Sequence, residues 1–152
     1  MCGGRGHLEA LVWGTAIGRD ARKALAAGRQ SILWSQGAKS LAAITAADVT
    51  SAARQGDPLA LELLARAGQY LGYTVITLVH LINPQIVVIG GGVSDANELL
   101  LGPMREVVDA GLMPLFQRDL EVVKARLGED AGSCGAAVLA VQGLERLQNR
   151  RP

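Results

Sequence analysis

A thiol and an imidazole five positions apart open the chain. Cys2 and His7 bracket a glycine-rich loop, Cys2-Gly3-Gly4-Arg5-Gly6-His7, and both are soft enough to ligate zinc. A structural zinc site needs four such ligands, and this loop supplies two. Glu9 follows closely and has two readings: it could hold a substrate hydroxyl, or it could be a first-turn glutamate favoured by the dipole of the helix it begins. The other soft side chains, His80 and Cys134, fall on segments that read as core, where a satisfied histidine and an inert buried thiol are expected.

The second chemical signal is Asn83-Pro84-Gln85-Ile86-Val87-Val88-Ile89-Gly90-Gly91-Gly92-Val93-Ser94. A strand that delivers three glycines to a helix start lets backbone approach a ligand closely, and unpaired amides there suit an anion or a nucleotide edge. It is not the dinucleotide fingerprint, which needs a glycine where Asp95 stands, and no Gly-Lys-Ser/Thr exists for the other common phosphate loop. Taken alone, Gly90, Gly91 and Gly92 fit a binding site and a plain tight turn equally. A serine hydrolase is disfavoured, because no Gly-x-Ser-x-Gly elbow occurs.

The elements that must position these groups are legible from periodicity. Leu8, Leu11, Val12 and Thr15 recur at helical spacing, and a second helix is expected from Ala16 to Ala27, stopping at Gly28. Residues 29–44 give no firm assignment. Thr45 and Asp48 form a capping signal for a helix from Ala46 to Gln55 that closes at Gly56. Asp57-Pro58 opens the strongest helix, an N-cap acid followed by proline at the first helical position. Ala60, Leu64, Ala67, Leu71, Val75, Leu78 and Ile82 trace its apolar face, and it should end near Leu81, before Asn83-Pro84.

Ile86 to Ile89 has no polar alternation, so it reads as a strand covered on both faces in the middle of a sheet. Asp95, with Glu98 three places on, is expected to cap a helix that Gly102-Pro103 bends or restarts before Gly111. Leu120 to Leu127 reads as another strand. Gly132 to Leu147 reads as a last amphipathic helix, with Arg146, Arg150 and Arg151 at its solvated basic end.

Length and composition bound the rest. A chain of 152 residues suits one domain, 1–152, with 49% hydrophobic and 19% charged residues, 19 glycines and 3% aromatics. That balance predicts a folded α/β protein rather than a disordered chain or an all-β sandwich. A net charge of +1 leaves little nonspecific attraction for nucleic acid. No basic-apolar-small leader precedes the loop, and two cysteines 132 positions apart suggest no disulfide framework, so a cytoplasmic protein is expected. Residues 67–94 carry no Asp, Glu, Lys or Arg, but Pro84 would interrupt a spanning helix, and a buried helix followed by a strand explains them better than a membrane span.

Together these pieces resemble the ROK family (repressors, open reading frames and sugar kinases), which includes bacterial glucokinases and N-acetylmannosamine kinases. Residues Cys2 to Ala10 look like the end of its Cys-x-Cys-Gly-x-x-Gly-Cys-x-Glu motif, and Asn83 to Ser94 is similar to its Asn-Pro-x-x-Ile-Val-Ile-Gly-Gly-Gly segment. Leu127-Gly128-Glu129-Asp130-Ala131-Gly132-Ser133-Cys134-Gly135-Ala136-Ala137 is similar to its Leu-Gly-Asp-Asp-Ala-Gly-x-x-Gly-Ala-Ala signature. Their order and spacing agree over nearly the whole chain.

The resemblance implies the C-terminal lobe of an actin-like ATPase, or ribonuclease-H-like, fold: helix-rich, with a small buried sheet. It implies that Glu9 contacts ring hydroxyls of a hexose or amino-sugar, and that Gly90, Gly91 and Gly92 line a nucleotide cleft, with ATP and Mg used by a complete member. Cys2 matches one zinc cysteine and His7 replaces another with a residue that still ligates; the family's remaining cysteine and histidine ligands would lie before residue 1. The family's kinases also carry an Asp-x-Gly-Gly-Thr phosphate loop and a catalytic aspartate in an Asn-Asp context, upstream of the cysteine motif. Neither pattern occurs in these 152 residues, so no turnover is expected from them alone.

Met1 falls on the x of Cys-x-Cys, which suggests an internal methionine of a longer protein or a gene lacking its front half. The alternative parent is the sugar-sensing lobe of a ROK transcriptional repressor. Apolar surface left where a missing lobe packed would favour a homo-oligomer.

Overall fold

The structure, a computed structural model, describes residues 6–34, 40–117 and 120–148. The first helices are α1 (Glu9–Val12) and α2 (Gly14–Ala26), separated by the extended residue Trp13. After single helical turns at Ile32–Trp34 and Leu41–Ala43 comes α3 (Ala46–Arg54), and then α4 (Pro58–Ile82), the longest element. The chain continues through β1 (Ile86–Ile89), a helical turn at Gly92–Ala96, α5 (Glu98–Gly111), the short α6 (Pro114–Gln117), β2 (Glu121–Lys124) and α7 (Ala131–Gln148). No helix among the described residues is long and apolar enough to cross a membrane.

α4 begins as its sequence dictates. Asp57 is buried and its carboxylate accepts the Ala60 amide at 2.8 Å, filling one of the orphan donors of the first turn, while Pro58 has no amide to satisfy. The second Asp57 oxygen accepts the Ile32 amide at 2.8 Å, which ties the preceding loop to the helix start. At the other end Asn83 stops the helix in the left-handed region, φ 43°, just ahead of Pro84.

Two apolar clusters lie along α4. The first joins Ile17 and Ala21 of α2 and Val49 and Ala52 of α3 to Leu59, Leu64 and Ala67 of α4. The second joins Val75 and Val79 of α4 to Leu101, Met104 and Val108 of α5, with Val87, Ile89 and Val122 of the sheet packed against them. The buried stripe of α4 therefore turns from the α2–α3 side to the α5 side along its length. This corrects the expected apolar face at its end: Val79 is buried, while Leu78 and Ile82 are 40% and 70% exposed.

α4 and α5 approach each other over glycine. A Cβ on Gly68 would run into the Leu100 carbonyl oxygen, and one on Gly72 would lie 2.7 Å from the Val107 Cβ. α5 runs through Pro103 as one span instead of restarting there, since a proline in its second turn omits a single bond to the Leu99 carbonyl.

β1 and β2 pair in parallel with Ile86 opposite Glu121 and Ile89 opposite Lys124. The expectation of a strand covered on both faces is corrected here. Val87 and Ile89 pack on the helices, but Ile86 and Val88 are 53% and 57% exposed, because β2 is the one strand beside β1 among the described residues and no helix covers the outer face. The last helix departs similarly: it forms where expected, yet Val138, Leu139, Val141 and Leu144 are all exposed. His80 and Cys134 are corrections too. Both are exposed, His80 set edge-on to Phe116 with ring centroids 5.2 Å apart.

Candidate functional site

Thr45 starts α3 with a reciprocal cap. Its Oγ1 accepts the Asp48 amide at 3.4 Å, and Asp48 Oδ2 accepts the Thr45 amide at 2.7 Å. Helix geometry gives the next two amides, of Ala46 and Ala47, no intrahelical acceptor. From there Ala47, Thr50 and Arg54 follow along one face of α3, and that face is one wall of a cleft of about 1060 Å³.

The opposite wall is the glycine turn. β1 ends at Ile89 and hands over to Gly90, Gly91 and Gly92, then Val93, Ser94 and Asp95, all of which line the cleft. Gly91 sits at φ 84°, where an L side chain is strained, and a Cβ on Gly90 would stand 3.3 Å from that of Ala125. Ser94 is buried and its Oγ donates to the Gly91 carbonyl at 2.7 Å, pinning the turn from beneath. Leu8, Val12 and the half-exposed Trp13 close one end of the cleft.

The charges around the cleft favour an anion. Arg22 and Arg54 are both in its lining; Arg22 Nη1 donates to the Ile44 carbonyl at 2.6 Å, and Arg54 Nη2 to the Asp95 carbonyl at 2.9 Å. Asp95 is the one carboxylate among the described lining residues, and Lys124 Nζ meets it at 2.8 Å. The hydrogen bond from Lys124, and then its charge, hold the Asp95 carboxyl below the ordinary aspartate range. Asp95 does not cap α5 as the sequence suggested: the helical turn at Gly92–Ala96 intervenes, and Asn97 takes the cap position at φ 48°. An ion-paired carboxylate is a poor proton acceptor, so the cleft offers binding surface rather than a general base.

The expected site residues are distributed as follows. Gly90, Gly91 and Gly92 form a cleft wall. Glu9 is exposed in the first turn of α1, beside Leu8 of the lining but not itself part of it. His7 is exposed, and its carbonyl accepts the Ala10 amide at 3.0 Å. Cys2 lies outside the described residues, so its pairing with His7 is not described. No three His, Cys, Asp or Glu side chains converge among the described residues in a way that could hold a metal. Sequence reasoning missed Trp13, Thr50 and Arg54; the spacing of Ala46, Thr50 and Arg54 four apart was the available signal for one helical face toward a ligand.

A second depression, about 510 Å³, lies over α2 and α4, and four of its five charged residues pair with one another, Arg29 with Glu62 at 2.7 Å and Arg66 with Asp20 at 3.0 Å, leaving Lys23 outside these pairs.

The sequence profile described as "ROK family" matches residues 1–143. The chain belongs to the ROK family. Among ROK proteins, it is 43% identical over 136 residues to the glucokinase of Thermotoga maritima, a match covering 90% of this chain and 43% of that protein. The crystal structure of a ROK family glucokinase from Streptomyces griseus, in complex with glucose and AMPPNP, superposes with a TM-score of 0.82 at 34% identity, covering 93% of this chain and 46% of that one. The DNA-binding transcriptional dual regulator NagC of Escherichia coli is 29% identical over 143 residues, 94% of this chain and 34% of the regulator. The chain therefore has the fold of ROK sugar kinases, actin-like ATPases, and spans less than half the length of these ROK relatives.

Proposed function

We propose that residues 1–152 act as one unit, the C-terminal lobe of a glucokinase-like ROK sugar kinase, which binds ATP against the Gly90–Gly92 turn and a hexose or amino-sugar through Glu9. The observation that carries this reading is the cleft. A wall of glycine backbone faces the first turn of α3, where the Ala46 and Ala47 amides have no intrahelical acceptor, across a space lined by two arginines, which suits the flat base and polyanionic tail of a nucleotide. The likeness to a glucokinase solved with glucose and AMPPNP supports the same ligands.

The repressor reading draws on the match to NagC, and the higher identity to glucokinases favours the kinase. Phosphoryl transfer needs a base, a positioned hydroxyl and a metal-bound triphosphate together. These residues carry no Asp-x-Gly-Gly-Thr loop and no Asn-Asp pair, so in this reading the lobe binds and does not turn over by itself. Magnesium enters on the triphosphate. Cys2 and His7 would supply two of the four ligands of a structural zinc, so a zinc site here would need two more ligands from beyond these residues. The lobe is placed in the cytoplasm, without nucleic-acid or membrane partners, and self-associating through its exposed apolar strand and helix.

The test has two parts: calorimetric titration of the purified chain with AMPPNP and magnesium, and a separate incubation with ATP, magnesium and glucose assayed for glucose 6-phosphate. AMPPNP binding without glucose 6-phosphate formation is the expected result. Sustained glucose 6-phosphate production would overturn the catalytic half of the proposal, and absence of nucleotide binding the other half.

A further inference from the structure

Beyond Ser94, whose amide and Oγ both donate to the Gly91 carbonyl, the glycine turn has few restraints of its own. Gly90 and Gly91 have no side chains to pack, and Gly91 and Asn97 hold positive φ at its two ends, 84° and 48°. Such a segment samples many conformations unless neighbours fix it. Two cations from different elements converge on one residue inside it. Arg54, the last residue of α3, donates to the Asp95 carbonyl at 2.9 Å. Lys124, the last residue of β2, reaches the Asp95 carboxylate at 2.8 Å and the Asn97 side-chain oxygen at 3.1 Å.

We propose that Arg54 and Lys124 are positioning residues that clamp Asp95 from two sides and so hold the Gly90–Gly92 turn in its ligand-receiving shape. Arg54 ties the turn to the α3 wall of the cleft, which sets the distance between the two walls. Lys124 ties it to β2, which fixes the turn against the strand that pairs with β1. Exposed ion pairs add little to global stability, so the effect of the clamp is local order rather than folding free energy. Its importance for ligand affinity rests on the nucleotide reading given above; its existence does not.

The experiment measures two quantities on the full chain, wild type, Lys124→Met, Lys124→Arg and Arg54→Met: amide hydrogen exchange without ligand, and the AMPPNP dissociation constant. In Lys124→Met and Arg54→Met the amides of Ser94 and Asn97, which donate to the Gly91 and Ser94 carbonyls, should exchange about threefold to tenfold faster, with those of Val75 and Met104 unchanged. AMPPNP affinity should fall by a similar factor, and Lys124→Arg should restore both. Unchanged exchange at the turn in both methionine variants overturns the clamp. Faster exchange throughout the chain also overturns it, since the residues would then be merely structural. Faster local exchange in a chain whose wild type fails to bind AMPPNP upholds the clamp and overturns the nucleotide reading.

Discussion

Gly72 on α4 faces Val107 on α5 so closely that a Cβ added to the glycine would stand 2.7 Å from the valine Cβ and 2.8 Å from the Met104 carbonyl oxygen. The α4–α5 pair is the support on which the sheet rests, with Val87 and Val122 packed against it. Gly72→Ala forces the helices apart and should cost about 1–3 kcal/mol, read as a fall in thermal midpoint of roughly 3–10 °C. Gly132→Ala is the control: nothing lies within 4 Å of its Cβ position, and the same change in α7 should leave the midpoint unchanged or raised.

Asp57 makes the stability pH-dependent. Burial is the largest influence and opposes its ionisation, but the amides of Ala60 and Ile32, with smaller contributions from Ser31 and Leu59, more than offset it and hold the carboxyl below the ordinary aspartate range. A folded pKa below the unfolded one gives stability that is fully present above the unfolded value, about 3.9, and is lost as pH falls through the folded value. Asp57→Ala should cost about 2 kcal/mol at neutral pH by urea titration, and its deficit against wild type should shrink in acid below the aspartate range.

Glu9 is exposed, so removing its carboxylate leaves the fold alone. Glu9→Ala should move the stability by no more than about 0.5 kcal/mol while weakening glucose binding by at least about tenfold. Unaltered glucose affinity would return Glu9 to a helix-dipole residue.

Ile86 and Val88 present an apolar strand face, and their backbone groups point away from β2, toward the open side of the sheet. The molar mass measured by light scattering should rise above that of a single chain as protein concentration increases, and Val88→Lys should hold it at one chain without lowering the thermal midpoint; a concentration-independent single-chain mass for the wild type would contradict this.

The sequence disclosed the elements whose signals are local. The Thr45–Asp48 cap, the Asp57-Pro58 start and the Asn83-Pro84 stop each depend on neighbours in the chain, and the structure has all three. The glycine turn was equally plain from three adjacent residues. What stayed hidden depends on which surfaces meet. Four β-branched residues describe an apolar strand but cannot say whether a second layer covers it, and Ile86 and Val88 are bare. The drift of the α4 stripe from Leu64 to Val79 follows from having two successive partners, which periodicity on one helix does not contain. Arg54 and Lys124 escaped notice because each acts on Asp95 from a separate element, 41 and 29 positions away.

The most direct test is a titration of the isotopically labelled chain with AMPPNP, followed by amide chemical shifts. The account predicts saturable shifts centred on Gly90 to Ser94 and on Thr45 to Thr50, the two walls of the cleft. Shifts clustered elsewhere, such as at the Arg29–Glu62 depression, or none at millimolar nucleotide, would contradict it.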